Sequence, residues 1–62
     1  MEFRICRQET GPEWIVRRDG RFYGDYLDRQ QALLDAVEAA GDASDAGQDV
    51  QVWDSSTNIR VF

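Results

Sequence analysis

The chain has 62 residues, twelve carboxylates against seven basic residues, and a net charge of -5. One domain of this size buries about 60% of the surface its unfolded chain exposes, and without staples its core supplies no more than ~3–5 kcal/mol, which excludes a multidomain machine and makes every costly feature informative. Hydrophobic residues at 42%, with seven aromatics, exclude a disordered tail, and the absence of lysine and histidine excludes most nucleophilic and general-base catalysis.

Glu2, Arg4 and Cys6 alternate with Phe3 and Ile5, which predicts a half-buried strand over residues 2–8. Cys6 is the only cysteine and cannot staple the fold internally, and Met1 to Gln8 lacks the apolar run of a signal peptide, so a cytoplasmic protein is expected. Gly11-Pro12 breaks the strand. Trp14 to Arg18 is rich in β-formers, and Asp19-Gly20 is a two-residue hairpin signal leading into Arg21-Phe22-Tyr23. Asp28 followed by Gln31 predicts a helix N-cap. Leu33, Ala36, Val37 and Ala40 then recur at i, i+3, i+4 and i+7, one apolar helix face. Gly41 and Gly47 both qualify as a stop; the charge period continues through Asp45, which places the helix end near Ala46. Residues 48–53 and 58–62 alternate again around the turn-forming run Asp54-Ser55-Ser56-Thr57.

The expected architecture is a single α+β domain over residues 1–62: an antiparallel sheet of four to five strands with one amphipathic helix on one face, in the order βββαββ. One helix covers one sheet face. Both phases of the strands carry apolar residues, Trp14 and Val16 against Ile15, Tyr23 against Phe22, Val50 and Val52 against Trp53, so the other face is expected to expose an apolar patch suited to a partner or a second copy. Trp14-x-Val16, the Asp19-Gly20 turn, the alanine-rich segment from Ala32 to Ala46 and Val50-x-Val52 together resemble a small uncharacterised bacterial family, DUF2188. The resemblance covers most of the chain, implies the same hairpin–helix–hairpin order and carries no activity with it; Asp54 to Asn58 departs from the pattern, which has a glycine turn there.

No residue set points to catalysis, and the chain is read as a non-enzyme needing no cofactor. Asp42 to Asp49 shares with a calcium loop a glycine at the sixth position, but the fifth position is Ala46 and the twelfth is Trp53, so no metal is expected. Arg17, Arg18, Arg21, Phe22 and Tyr23 around the hairpin offer stacking and phosphate contacts, yet the net charge opposes a polyanion, so direct nucleic-acid binding is not expected. No segment is long and apolar enough for a membrane.

The strongest signal is electrical. Between Gly24 and Asp54 the chain has eight carboxylates against one cation, Arg29, and Asp35, Glu38, Asp42, Asp45 and Asp49 recur at alternating spacings of three and four, an acidic stripe along a helix. Charged helix faces ordinarily interleave both signs; like-charged neighbours each cost ~0.2–0.5 kcal/mol, roughly 1–2 kcal/mol over the stripe. Adaptation to high salt would remove that cost by screening. Recognition would offset it: acids rising ~5 Å apart along a helix approximate the spacing of backbone phosphates. By analogy with small acidic decoys such as anti-CRISPR proteins of phages, the chain is expected to be an inhibitor or interaction module. These five residues would then meet a basic, nucleic-acid-binding groove of a partner protein. The alternative is a small self-associating bacterial domain that uses its open sheet face, including as a homodimer.

Overall fold

The computed structural model describes residues 1–62, with β1 (Glu2–Arg7), β2 (Trp14–Arg18), β3 (Arg21–Tyr26), α1 (Arg29–Asp45), β4 (Gln51–Asp54) and β5 (Ile59–Arg60) in chain order. This is the expected α+β class and βββαββ order, with all five strands in one sheet ordered β3-β2-β1-β4-β5. The sheet is mostly antiparallel, and one pairing departs from the all-antiparallel expectation. β1 and β4 run parallel, with Phe3 opposite Val52 and Ile5 opposite Asp54. The reason is parity. Two hairpin reversals leave β3 parallel to β1, and the single helix returns the chain to the starting end, so the next strand repeats the direction of β1.

Local chemistry sets the elements. Asp19 and Gly20 take φ of 51° and 83°, the two left-handed positions of a twist-matched hairpin turn. The Asp19 carboxylate also accepts from the Glu2 amide at 2.8 Å, fastening the turn to β1. Pairing jumps from Val16↔Gly24 to Arg17↔Phe22, so Tyr23 is the extra residue of a β-bulge. Its ring is turned edge-on to Phe3, with centroids 5.3 Å apart. Asn58, with φ of 56°, supplies the left-handed residue in the β4–β5 turn, which contains no glycine.

The helix begins where Asp28 accepts from the Gln31 amide at 2.8 Å. It passes through Gly41 to Asp45, with Ala46 as the C-cap and Gly47, whose φ is 88°, just beyond it. The Gly47 amide donates to the Ser44 carbonyl and the Gln48 amide to the Ala43 carbonyl, the paired bonds of a Schellman cap. The two glycines therefore respond oppositely to the same substitution. A methyl group at Gly41 meets nothing within 4 Å; Gly41→Ala stabilises the domain by about 1 kcal/mol. Gly47→Ala forces alanine into a left-handed conformation and destabilises by about 1 kcal/mol. Thermal melts of the two variants read the difference directly.

Ala32, Ala36 and Ala40 on α1 are fully buried against Phe3, Ile5, Val16, Val50 and Val52. Small residues at i, i+4 and i+8 bring the helix close to the sheet, while Leu33 and Val37 flank the contact. No helix is long and apolar enough to cross a membrane. The core lies wholly between α1 and one sheet face. The other sheet face has no covering element.

Candidate functional site

The five stripe residues do not form one continuous face. Glu38, Asp42 and Asp45 lie exposed on α1, and none has an ion-pair partner. Asp35 lies nearer the sheet, where its carboxylate accepts from the Tyr26 hydroxyl. Burial first, and then that hydrogen bond, hold the Tyr26 phenol well above its ordinary range. Asp49 lies beyond the helix end, because the Gly47 cap turns the chain toward β4. Its carbonyl accepts from the Met1 amino group at 2.9 Å. The segment compared with a calcium loop is helical as far as Asp45, so Asp42 and Asp45 project from a rigid turn.

What remains is compact: Glu38, Asp42 and Asp45 at successive rises of ~6 and ~4.5 Å. Two of the three occupy the last helical turn, where the macrodipole is negative. That turn holds no basic residue, and the first turn holds no acidic one. The only helix cation, Arg29, stands at the N-terminal end, where positive charge is also unfavourable. Charge thus opposes the dipole at the C-terminal end of this helix, while at the N-terminal end the Asp28 cap carboxylate favours it. Leu34 is 64% exposed and sits one turn before Glu38, an apolar contact beside the acids.

Arg29 reaches an interior group that the sequence does not announce. Asp54, at the end of β4, is fully buried. One carboxylate oxygen accepts from the Arg29 guanidinium, with Nε at 2.8 Å. The other accepts from the Ser56 amide at 3.0 Å and the Ser56 hydroxyl at 2.6 Å. Burial by itself raises this carboxyl, but the Ser56 hydroxyl, the Arg29 guanidinium and the Ser56 amide outweigh it and hold Asp54 below the ordinary aspartate value. This cluster joins the start of α1 to β4 and has a structural role.

The uncovered sheet face differs from a plain apolar patch. Cross-strand register aligns Phe22 with Arg17, Arg17 with Arg4, Arg4 with Trp53 and Trp53 with Arg60. Three arginines and two aromatics therefore form one row across all five strands. The Arg4 guanidinium stands 5.7 Å above the Trp53 ring centre and covers it, while its Nε donates to Glu2 at 2.9 Å. Phe22, at 62% exposure, is the open aromatic at the edge. Arginines break up the expected apolar surface because β1, β2 and β5 each place one in the outward phase.

The helix side of this thin domain thus carries unpaired acids, and the open sheet side carries Arg4, Arg17 and Arg60 beside Glu2 and Asp25. Family models, curated proteins and solved structures yield no match to this chain.

Proposed function

We propose that the protein is a non-enzymatic inhibitor or interaction module whose helix presents Glu38, Asp42 and Asp45, with Asp49 just beyond the cap and Leu34 at the border, to a basic groove of a nucleic-acid-binding partner. The observation that supports this most is the unpaired acidic C-terminal half of α1, where side chains and helix dipole add to one negative end and Glu38, Asp42 and Asp45 form no ion pair. A rigid helix displaying carboxylates at roughly phosphate spacing suits a groove built for a nucleic-acid backbone, as in a decoy of the anti-CRISPR kind. Asp35 is a weaker contributor, because Tyr26 already occupies one of its oxygens. Opposite charges steer association, so binding should be fast and should weaken with salt.

The test is recovery of a partner from host extract on immobilised protein, followed by competition. Wild-type protein should retain a basic protein that duplex DNA or structured RNA displaces. The double reversal Asp42→Arg with Asp45→Arg should retain none of it. Equal recovery on the reversed variant, or a complex indifferent to nucleic acid, would remove this reading.

A further inference from the structure

We infer that the open sheet face is the docking surface for the acidic helix of a second copy of this chain, giving head-to-tail assembly. Three observations carry it. The first is the imbalance of internal pairing. Among twelve carboxylates and seven arginines there are only two salt bridges, Arg4 with Glu2 and Arg29 with Asp54. Arg17 on the sheet face has no carboxylate partner, and neither do Glu38, Asp42 and Asp45 on the helix; Arg60 donates its Nε to the Phe62 carbonyl at 2.8 Å and keeps its other donors free of any side-chain carboxylate. They cannot reach each other within one molecule, since the sheet and the core lie between them.

The second is a local cost. Arg4 and Arg17 stand directly opposite each other on neighbouring strands, an arrangement of like charges that destabilises a sheet. Only Arg4 has a compensating carboxylate. The third is spacing. Neighbouring strands are ~4.8 Å apart, so Arg17, Arg4 and Arg60 span roughly 14 Å along the row. Arg17 and Arg4 are one strand apart and Arg60 stands two strands beyond Arg4, while Glu38, Asp42 and Asp45 step ~6 and ~4.5 Å over ~10.5 Å. A helix laid along the row, across the strands, brings its carboxylates within side-chain reach of planar guanidinium forks that suit them. Leu34, one turn before Glu38, then lies toward an end of the row, where Phe22 is the exposed aromatic. Single-stranded nucleic acid is the less favoured occupant, because the Trp53 ring is already covered by Arg4 and the chain as a whole is acidic.

The two surfaces are different patches of one molecule, so their contact is heterologous and does not close on itself. Sedimentation of the wild-type chain should show a mass that climbs past twice 7.1 kDa with concentration and falls back toward the monomer in high salt. Arg17→Glu alone and Asp42→Arg with Asp45→Arg alone should each associate at least about tenfold more weakly, equivalent to ~1.4 kcal/mol. An equimolar mixture of the two variants should associate again, since one carries an intact helix surface and the other an intact sheet surface. A wild-type chain that stays monomeric at every concentration would overturn the inference. So would association that survives Arg17→Glu or high salt, or a mixture that stays monomeric. Binding of a labelled single-stranded oligonucleotide that Arg17→Glu abolishes would assign the row to nucleic acid and overturn it as well. The inference shares its helix acids with the proposed function, and Arg17→Glu separates the two. It removes self-association while leaving capture of a basic partner intact.

Discussion

Replacing Asp54 with alanine should leave most of the protein unfolded at room temperature. The substitution deletes four hydrogen bonds at once, two from the Arg29 guanidinium and two from Ser56. Breaking a buried ion pair by removing one partner costs ~3–5 kcal/mol, as large as the whole margin available to a domain of this size. The loss also falls where the topology depends on it. Asp54 lies beside Ile5 in the parallel pairing, the Ser55 amide donates to the Ile5 carbonyl at 2.9 Å, and Arg29 opens the crossover helix. Without the carboxylate, the helix start and the end of β4 lose their common anchor. Asp54→Asn keeps an acceptor for Ser56 and should cost less, ~1.5–3 kcal/mol. Circular dichroism melts distinguish the series; a cooperative wild-type transition in Asp54→Ala would show that the anchor is dispensable.

Acid should act on the same group. Because the folded state holds Asp54 below its ordinary value, its contribution is fully present above the unfolded aspartate value of ~3.9 and is lost as pH falls through the lowered folded value. Unfolding by acid should therefore begin below about pH 4. Arg29→Gln withdraws one of the groups holding the carboxyl down, so its acid transition should move to higher pH. An unmoved midpoint would assign the depression to Ser56 alone.

How legible these features are in the sequence depends on the range of the contact that makes them. The Asp19-Gly20 turn, the Asp28 cap and the Gly47 stop are written in neighbouring residues, and each forms as expected. Asp54 opens a recognisable turn run, and its bond to the Ser56 amide two residues on belongs to that local chemistry. Its burial does not, because the guanidinium that makes burial tolerable comes from Arg29, 25 residues earlier. The arginine row is hidden for a related reason. Alternation assigns each residue a face, but only register aligns Phe22, Arg17, Arg4, Trp53 and Arg60, and the bulge at Tyr23 changes the phase of β3 midway. The acidic spacing is plain in the sequence. What spacing omits is that a cap turns Asp49 out of the helix and that Tyr26 draws in Asp35.

Reversing Asp42 and Asp45 to arginine should make the protein more stable even as it removes the acidic surface. Each reversal adds two positive charges, taking the net charge from -5 to -1. Glu38 and position 42 change from a repelling to an attracting i,i+4 pair in the favoured acid-first orientation. Both new cations meet the negative end of the helix dipole, where a last turn without any basic residue now stands. Positions 42 and 45 still repel each other, so the net gain is about 1–2 kcal/mol, or roughly 4–16 °C in Tm for a domain this small. The gain should shrink at high salt, where screening relieves the wild-type repulsion as well. Were the acids simply a comfortable solvated face, reversal would be neutral or harmful, and a lower Tm would end the claim that they are held at a cost. A more stable variant that also fails to retain a basic partner would show stability and binding moving in opposite directions through the same two residues. That pattern belongs to a surface kept for recognition, and a salt-adapted surface without a partner would give the stability change alone.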